Sequence, residues 1–147
     1  MTMRSTILAF LMVFTPLLAP AQTAATPAAQ AFDHYEAIRV MLSQDKIDTI
    51  STHANALAPL AGQLAGKNAQ AAAERVAAAK TLDSAREQFG VLSTALVPKF
   101  LDAKLPGVHA FMCPMKNLPW AQRKLMLENP YYGKAMLTCG NEITGTR

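Results

Sequence analysis

Four sulfur-bearing residues stand where they could share chemistry: Cys113, Met115, Met136 and Cys139. They fall in the stretch "CPMKNLPWAQRKLMLENPYYGKAMLTCG", which also holds the only tryptophan and two of the three tyrosines. In an extended segment residues two apart point the same way, so Cys113 and Met115 share a face. In a short helix residues three apart are neighbours, so Met136 and Cys139 share one too. Packed together, the two segments would converge four soft donors. Thiolates and thioethers select monovalent copper, or silver as its chemical mimic, whereas hard cations take oxygen. His109, four residues before Cys113, is a candidate nitrogen donor. Structural zinc sites use Cys and His without Met, which argues for copper(I) or silver(I) over zinc.

Another reading of the same cysteines is a disulfide, the default for two cysteines in an exported chain. Joining Cys113 to Cys139 would close a loop for which chain entropy predicts about 3–4 kcal/mol. Methionine is often a core filler, and Trp120, Tyr131 and Tyr132 read as an aromatic plug closing one end of the fold. Met41 and His34, seven apart, line one face of the first helix, and His53 borders the second helix's seam in a structural role. No Cys-x-x-Cys pair, haem attachment motif or Gly-rich phosphate loop occurs, so the chain reads as a non-enzyme.

The elements that must position these residues are helical. The chain opens "MTMRSTILAFLMVFTPLLAPAQTA", with Arg4, an apolar run from Ile7 to Leu18 and Ala19-Pro20-Ala21: a secretory signal peptide over 1–21. The apolar run is too short to span a bilayer, which needs about 20 residues. Cleavage leaves one domain, expected in the periplasm. Residues 22–29 read as a disordered leader, 30–142 as a single domain and 143–147 as a tail. The formal net charge of +4 has no cluster of bases, which excludes a nucleic-acid patch.

Ala31, Tyr35, Ile38 and Leu42 follow a helical period; Asp45 reads as the next N-cap. Ile47, Ile50, Ala54, Leu57, Ala61 and Leu64 form a heptad-like seam, with Pro59 expected to kink it. Gly66 to Asn68 is a stop, followed by an alanine-rich helix from Ala69 to Lys80. Ser84 with Glu87 reads as a capping box for a fourth helix burying Phe89, Leu92, Leu96 and Phe100 and bent or shortened near Pro98. Asn129-Pro130 and Gly140 predict a short capped helix at the C-terminal end. These elements predict an all-α fold, an antiparallel four-helix bundle with a short C-terminal helix and a Cys/Met-containing loop packed at one end.

"REQFGVLSTAL" (86–96), then Cys113-Pro114-Met115, Trp120, Asn129 to Gly133, and Met136-Leu137 with Cys139-Gly140 form an ordered set. By these motifs the domain resembles the family catalogued as domain of unknown function 3347. That domain occurs as small periplasmic proteins and fused to adaptor subunits of heavy-metal efflux pumps. The resemblance spans roughly residues 33–142. It implies a helical bundle that binds a soft metal, as buffer or shuttle for copper or silver efflux, or that docks on the adaptor without binding metal. Family members commonly follow the tryptophan with Leu-Ser; here Ala121-Gln122-Arg123-Lys124 stands instead.

Overall fold

The computed structural model describes residues 25–143. The expected signal peptide, the expected leader up to residue 24 and residues 144–147 of the expected tail lie outside the described residues. Four helices form a bundle-like layer: α1 (Pro27–Ser43), α2 (Ile50–Ala65), α3 (Lys67–Ala78) and α4 (Leu82–Asp102). Three strands follow, β1 (His109–Cys113), β2 (Leu118–Gln122) and β3 (Asn141–Ile143), antiparallel in the order β2-β1-β3. The fold is therefore mixed α/β, which overturns the all-α expectation. The strands are five, five and three residues long, too short to print a readable alternation.

The helical periods locate the core well. Tyr35, Ile38, Leu42, Ile50, Leu57, Phe89, Leu92, Leu96 and Phe100 are all buried, and an aromatic cluster of Phe32, Tyr35, Phe89 and Phe100 lies at its centre. The alanines of α3 let it lie close on α2 and α4.

Several boundaries differ from expectation. α1 starts at Pro27, inside the expected leader, because Thr26 caps it by accepting from the Ala29 N–H and Pro27 sits in its first turn. Asp45 is not a cap; it lies in the α1–α2 turn at φ 60°, and Thr49 occupies the N-cap position of α2. The α4 cap is Thr81, whose hydroxyl accepts from Ser84 N–H, in place of the Ser84/Glu87 box. Both α2 and α4 carry their prolines internally: α2 runs through Pro59 to Ala65, and α4 through Pro98 to Asp102. The expected C-terminal helix is only a 3-10 turn, Gly133–Met136.

From Arg123 to Gly140 the chain has little regular structure, and buried polar groups fasten it to the helices. Arg39, with no exposed surface, reaches from α1 to the Glu128 carboxylate at 2.9 Å and to the Glu128 carbonyl, while its other edge meets Glu36. Arg86 on α4 donates to the carbonyls of Pro130 and Leu42 and to Asp45 at 2.6 Å. The Tyr35 hydroxyl bonds Ser93 and accepts from the Ala121 N–H of β2. Burial would raise the Glu128 carboxyl, but hydrogen bonds and charge from Lys124 and Arg39 outweigh it and hold it below the usual glutamate range. The Arg86 hydrogen bond likewise holds Asp45 below the ordinary carboxylate range.

Replacing Arg39 by Leu is expected to lower unfolding free energy by about 2–4 kcal/mol, because two carboxylates and a carbonyl lose their shared donor. Lys124→Ala, removing an exposed partner of the same carboxylate, costs at most about 1 kcal/mol. Urea denaturation compares the two; equal losses would refute the anchor role. A depressed folded-state carboxyl contributes stability that is complete above its unfolded pKa and is lost as pH falls through the folded value. The urea midpoint should thus drop between pH 5 and pH 3, and drop less steeply in Arg39→Leu.

Candidate metal centre

β1 and β2 form a hairpin in which Phe111 faces Trp120 and Cys113 faces Leu118 across the ladder. The connection, Pro114 to Asn117, turns through Asn117 at φ 53°, whose N–H donates to the Cys113 carbonyl at 2.8 Å. Met115 lies in this turn and is 60% exposed. Cys113, one residue before the turn, has no exposed surface. β3 adds to the other side of β1, with Asn141 opposite Met112. The residues just before Asn141, Gly140 and Cys139, therefore arrive at the Cys113 end of the sheet. Cys139 is half-buried; its N–H donates to the Met136 carbonyl at 3.1 Å, which makes Met136 and Cys139 the two ends of one turn.

The backbone thus brings Cys113, Met115, Met136 and Cys139 to one end of the sheet, though one thiol is sealed and one thioether open. Neither Cys113 nor Cys139 is in a disulfide in this structure. His109 is separated from this end. It starts β1 while Cys113 finishes it, about 13 Å away at strand rise, and its Nδ1 lies 3.3 Å from Glu142. Of the aromatic residues, Trp120 and Tyr131 are buried in the core and Tyr132 is half-buried beneath the Lys116 ammonium at 5.5 Å. Burial, with Tyr35 and Cys113 nearby, pushes the Tyr131 hydroxyl well above its ordinary range.

The motif residues that flank the sulfurs have packing roles. Asn129 is fully buried: its Oδ1 accepts from Tyr131 N–H at 2.8 Å and its Nδ2 donates to the Cys139 carbonyl at 2.7 Å. One amide side chain thereby sets where Cys139 lies. Gly133 has φ 55°, and a Cβ there would collide with the paired Asp45 and Arg86 side chains. At Gly140 a Cβ would collide with the Trp120 indole and Leu127. Gln122, within the atypical stretch after the tryptophan, is also fully buried. It accepts from Trp120 Nε1–H at 2.9 Å and donates to the carbonyls of Lys124 and Met126.

Sequence reading missed Arg39, Gln122, and the pairing of Arg86 with Asp45. Arg39 had a signal: a charge beside the Ile38/Leu42 face, three residues after Glu36. Next to the sulfur end, a cleft of about 420 Å³ opens between α4 and the hairpin turn, lined by Asp83, Arg86, Glu87, Lys116, Leu118 and Tyr131. Its two acids and two bases give it mixed charge.

Among the described residues no three His, Cys, Asp or Glu side chains gather around a point. A metal at this end therefore depends on the methionines as donors. A comparison with family models, curated proteins and solved structures finds no match to this chain.

The difference in burial predicts unequal thiol reactivity. Brief iodoacetamide treatment of the native protein should alkylate Cys139 and spare Cys113 until denaturant is added, as read by peptide mass spectrometry. Equal labelling of both in the native state would contradict the sealed position of Cys113.

Proposed function

We propose that the chain is an exported soft-metal binding protein that takes copper(I) or silver(I) through Cys113, Met115, Met136 and Cys139. The role that follows from the resemblance is a periplasmic buffer or shuttle that delivers the metal to the adaptor of an efflux pump. One observation supports the reading: β3 pairs with β1 so that Cys139, two residues before β3, approaches the Cys113 end of the sheet, with Met136 one turn behind it. Free thiols with thioethers are a donor set matched to a monovalent soft cation. His109 drops out of the ligand set because β1 holds it at the opposite end.

A second reading has its own observation. Met115, Leu125 and Met126 are among the few large apolar side chains left exposed, at 60, 69 and 74%, and all lie in the C-terminal part of the fold. Such residues suit an adaptable protein contact. This supports a module that docks on an efflux adaptor without binding metal.

Native mass spectrometry under anaerobic copper(I) separates the two. The metal reading expects one copper per chain, with affinity reduced at least tenfold in Met115→Leu/Met136→Leu and abolished in Cys113→Ser/Cys139→Ser. Copper uptake unchanged in both variants would sink it. Retention of the fold in the methionine variant is checked by circular dichroism.

A further inference from the structure

Away from the sulfur end, α1 and α2 meet through a hydrogen bond between two histidines. His34 Nδ1 and His53 Nδ1 are 3.3 Å apart, and with ring centroids at 5.6 Å the two rings lie in line along that bond. Both residues are half-buried. A neutral imidazole carries one N–H and one lone pair. One ring is therefore the Nδ1–H tautomer and donates, while the other keeps its proton on Nε2 and accepts.

We infer that this pair is an acid-released clasp between α1 and α2, closed while one ring is neutral and opened when both are protonated. The order of events follows from where the protons go. A first proton is taken on Nε2 of the donating ring, which leaves the bond in place and makes it charge-assisted. A second proton has only the accepting Nδ1 to go to. It removes the lone pair, sets N–H against N–H, and places two like charges on facing helices.

The surroundings offer little to offset those charges. α2 carries no Asp, Glu, Lys or Arg, so His53 is its only titratable side chain. On α1, Asp33 pairs with Arg123, Arg39 joins Glu36 to Glu128, and the Tyr35 hydroxyl is bonded to Ser93 and the Ala121 N–H. The neighbours one turn away, Gln30, Ala31, Ala37 and Ile38 on α1 and Thr49, Ile50, Ala56 and Leu57 on α2, are all uncharged. In the turn between the helices Lys46 and Asp48 are exposed and Asp45 is held by Arg86. The remaining charges of α3 (Lys67, Glu74, Arg75) and α4 (Asp83, Glu87, Lys99, Asp102) are exposed, and among the described residues none of them forms an ion pair with either histidine. The clasp thus contributes stability at neutral pH that is lost as pH falls through the histidine range, above the window in which carboxylates titrate. His109, beside Glu142, acts in the opposite sense, because protonation gives it a charged partner.

Thermal unfolding at about pH 7.5 and about pH 5, either side of the usual histidine range, tests this. The wild-type Tm is expected to fall about 3–5 °C further than that of His34→Gln or His53→Gln, which keep a hydrogen-bonding side chain but take only one charge between the helices. Each variant is compared with its own Tm at neutral pH, so a loss of stability from the substitution itself cancels. His109 and the carboxylates are common to all three proteins. Imidazole ¹⁵N NMR of the wild-type protein reads the bond directly: near pH 7.5 one of His34 and His53 should carry its proton on Nδ1 and the other on Nε2. Both rings in the same tautomer, or an equal fall in Tm in the wild type and both variants, would overturn the inference.

Discussion

The guanidinium of Arg39 is the group on which the rest of this structure leans. It is buried completely, so its charge must be matched on every side, and its partners come from two distant parts of the chain. Glu36 lies one turn away on α1, whereas Glu128 is held in the irregular segment after β2. A buried cation without such partners would cost far more than a local contact returns. The segment must therefore come to Arg39 for the fold to be tolerated, and once there its carbonyl and carboxylate are both fixed.

The same logic repeats along the segment. Gln122, Asn129, Arg86 and Tyr35 each bond groups that no helix or sheet ladder would satisfy, and among the described residues no buried side-chain polar atom lacks a partner. Apolar burial alone is non-directional and would let Arg123 to Gly140 slide on the bundle. Directional bonds to particular carbonyls remove that freedom. One of them ends on the Cys139 carbonyl, so the place of a candidate ligand is set by an amide that touches no sulfur.

How much of this could be read in the sequence follows from the period and length of each element. α1, the α2 seam and the buried face of α4 repeat their apolar residues over several turns, and the residues named for those faces are buried except Ile47 and Leu64 at the two ends of the seam, which are half-buried. β1 was legible as an extended piece, but β2 contains Pro119 and β3 has three residues that owe their conformation to pairing with β1. The C-terminal helix misled for a different reason. The Asn129-Pro130 signal is real, since Asn129 does accept from the Tyr131 N–H and its carbonyl from Gly133. The turn then fails to propagate because Gly133 takes a positive φ, imposed by the Asp45–Arg86 pair lying against it. That pair joins residues 41 positions apart, a separation that no local pattern reveals. The candidate donors Cys113, Met115, Met136 and Cys139 were legible by type, whereas the exclusion of His109 required knowing that β1 is a strand for its whole length.

The candidate sulfur donors differ from the core in what holds them. Most core side chains stand on helices of twelve to twenty-one residues. Cys113 ends β1, Met115 lies in the hairpin turn, Met136 in the 3-10 turn and Cys139 on the approach to a three-residue strand. Thioether side chains there have three rotatable bonds each and can adjust to the ion. Were a metal taken up there, selection would come from the softness of sulfur and not from a preset cage. The anchor at Arg39 bears on these positions because it fastens, through Glu128, the segment that leads to Met136 and Cys139.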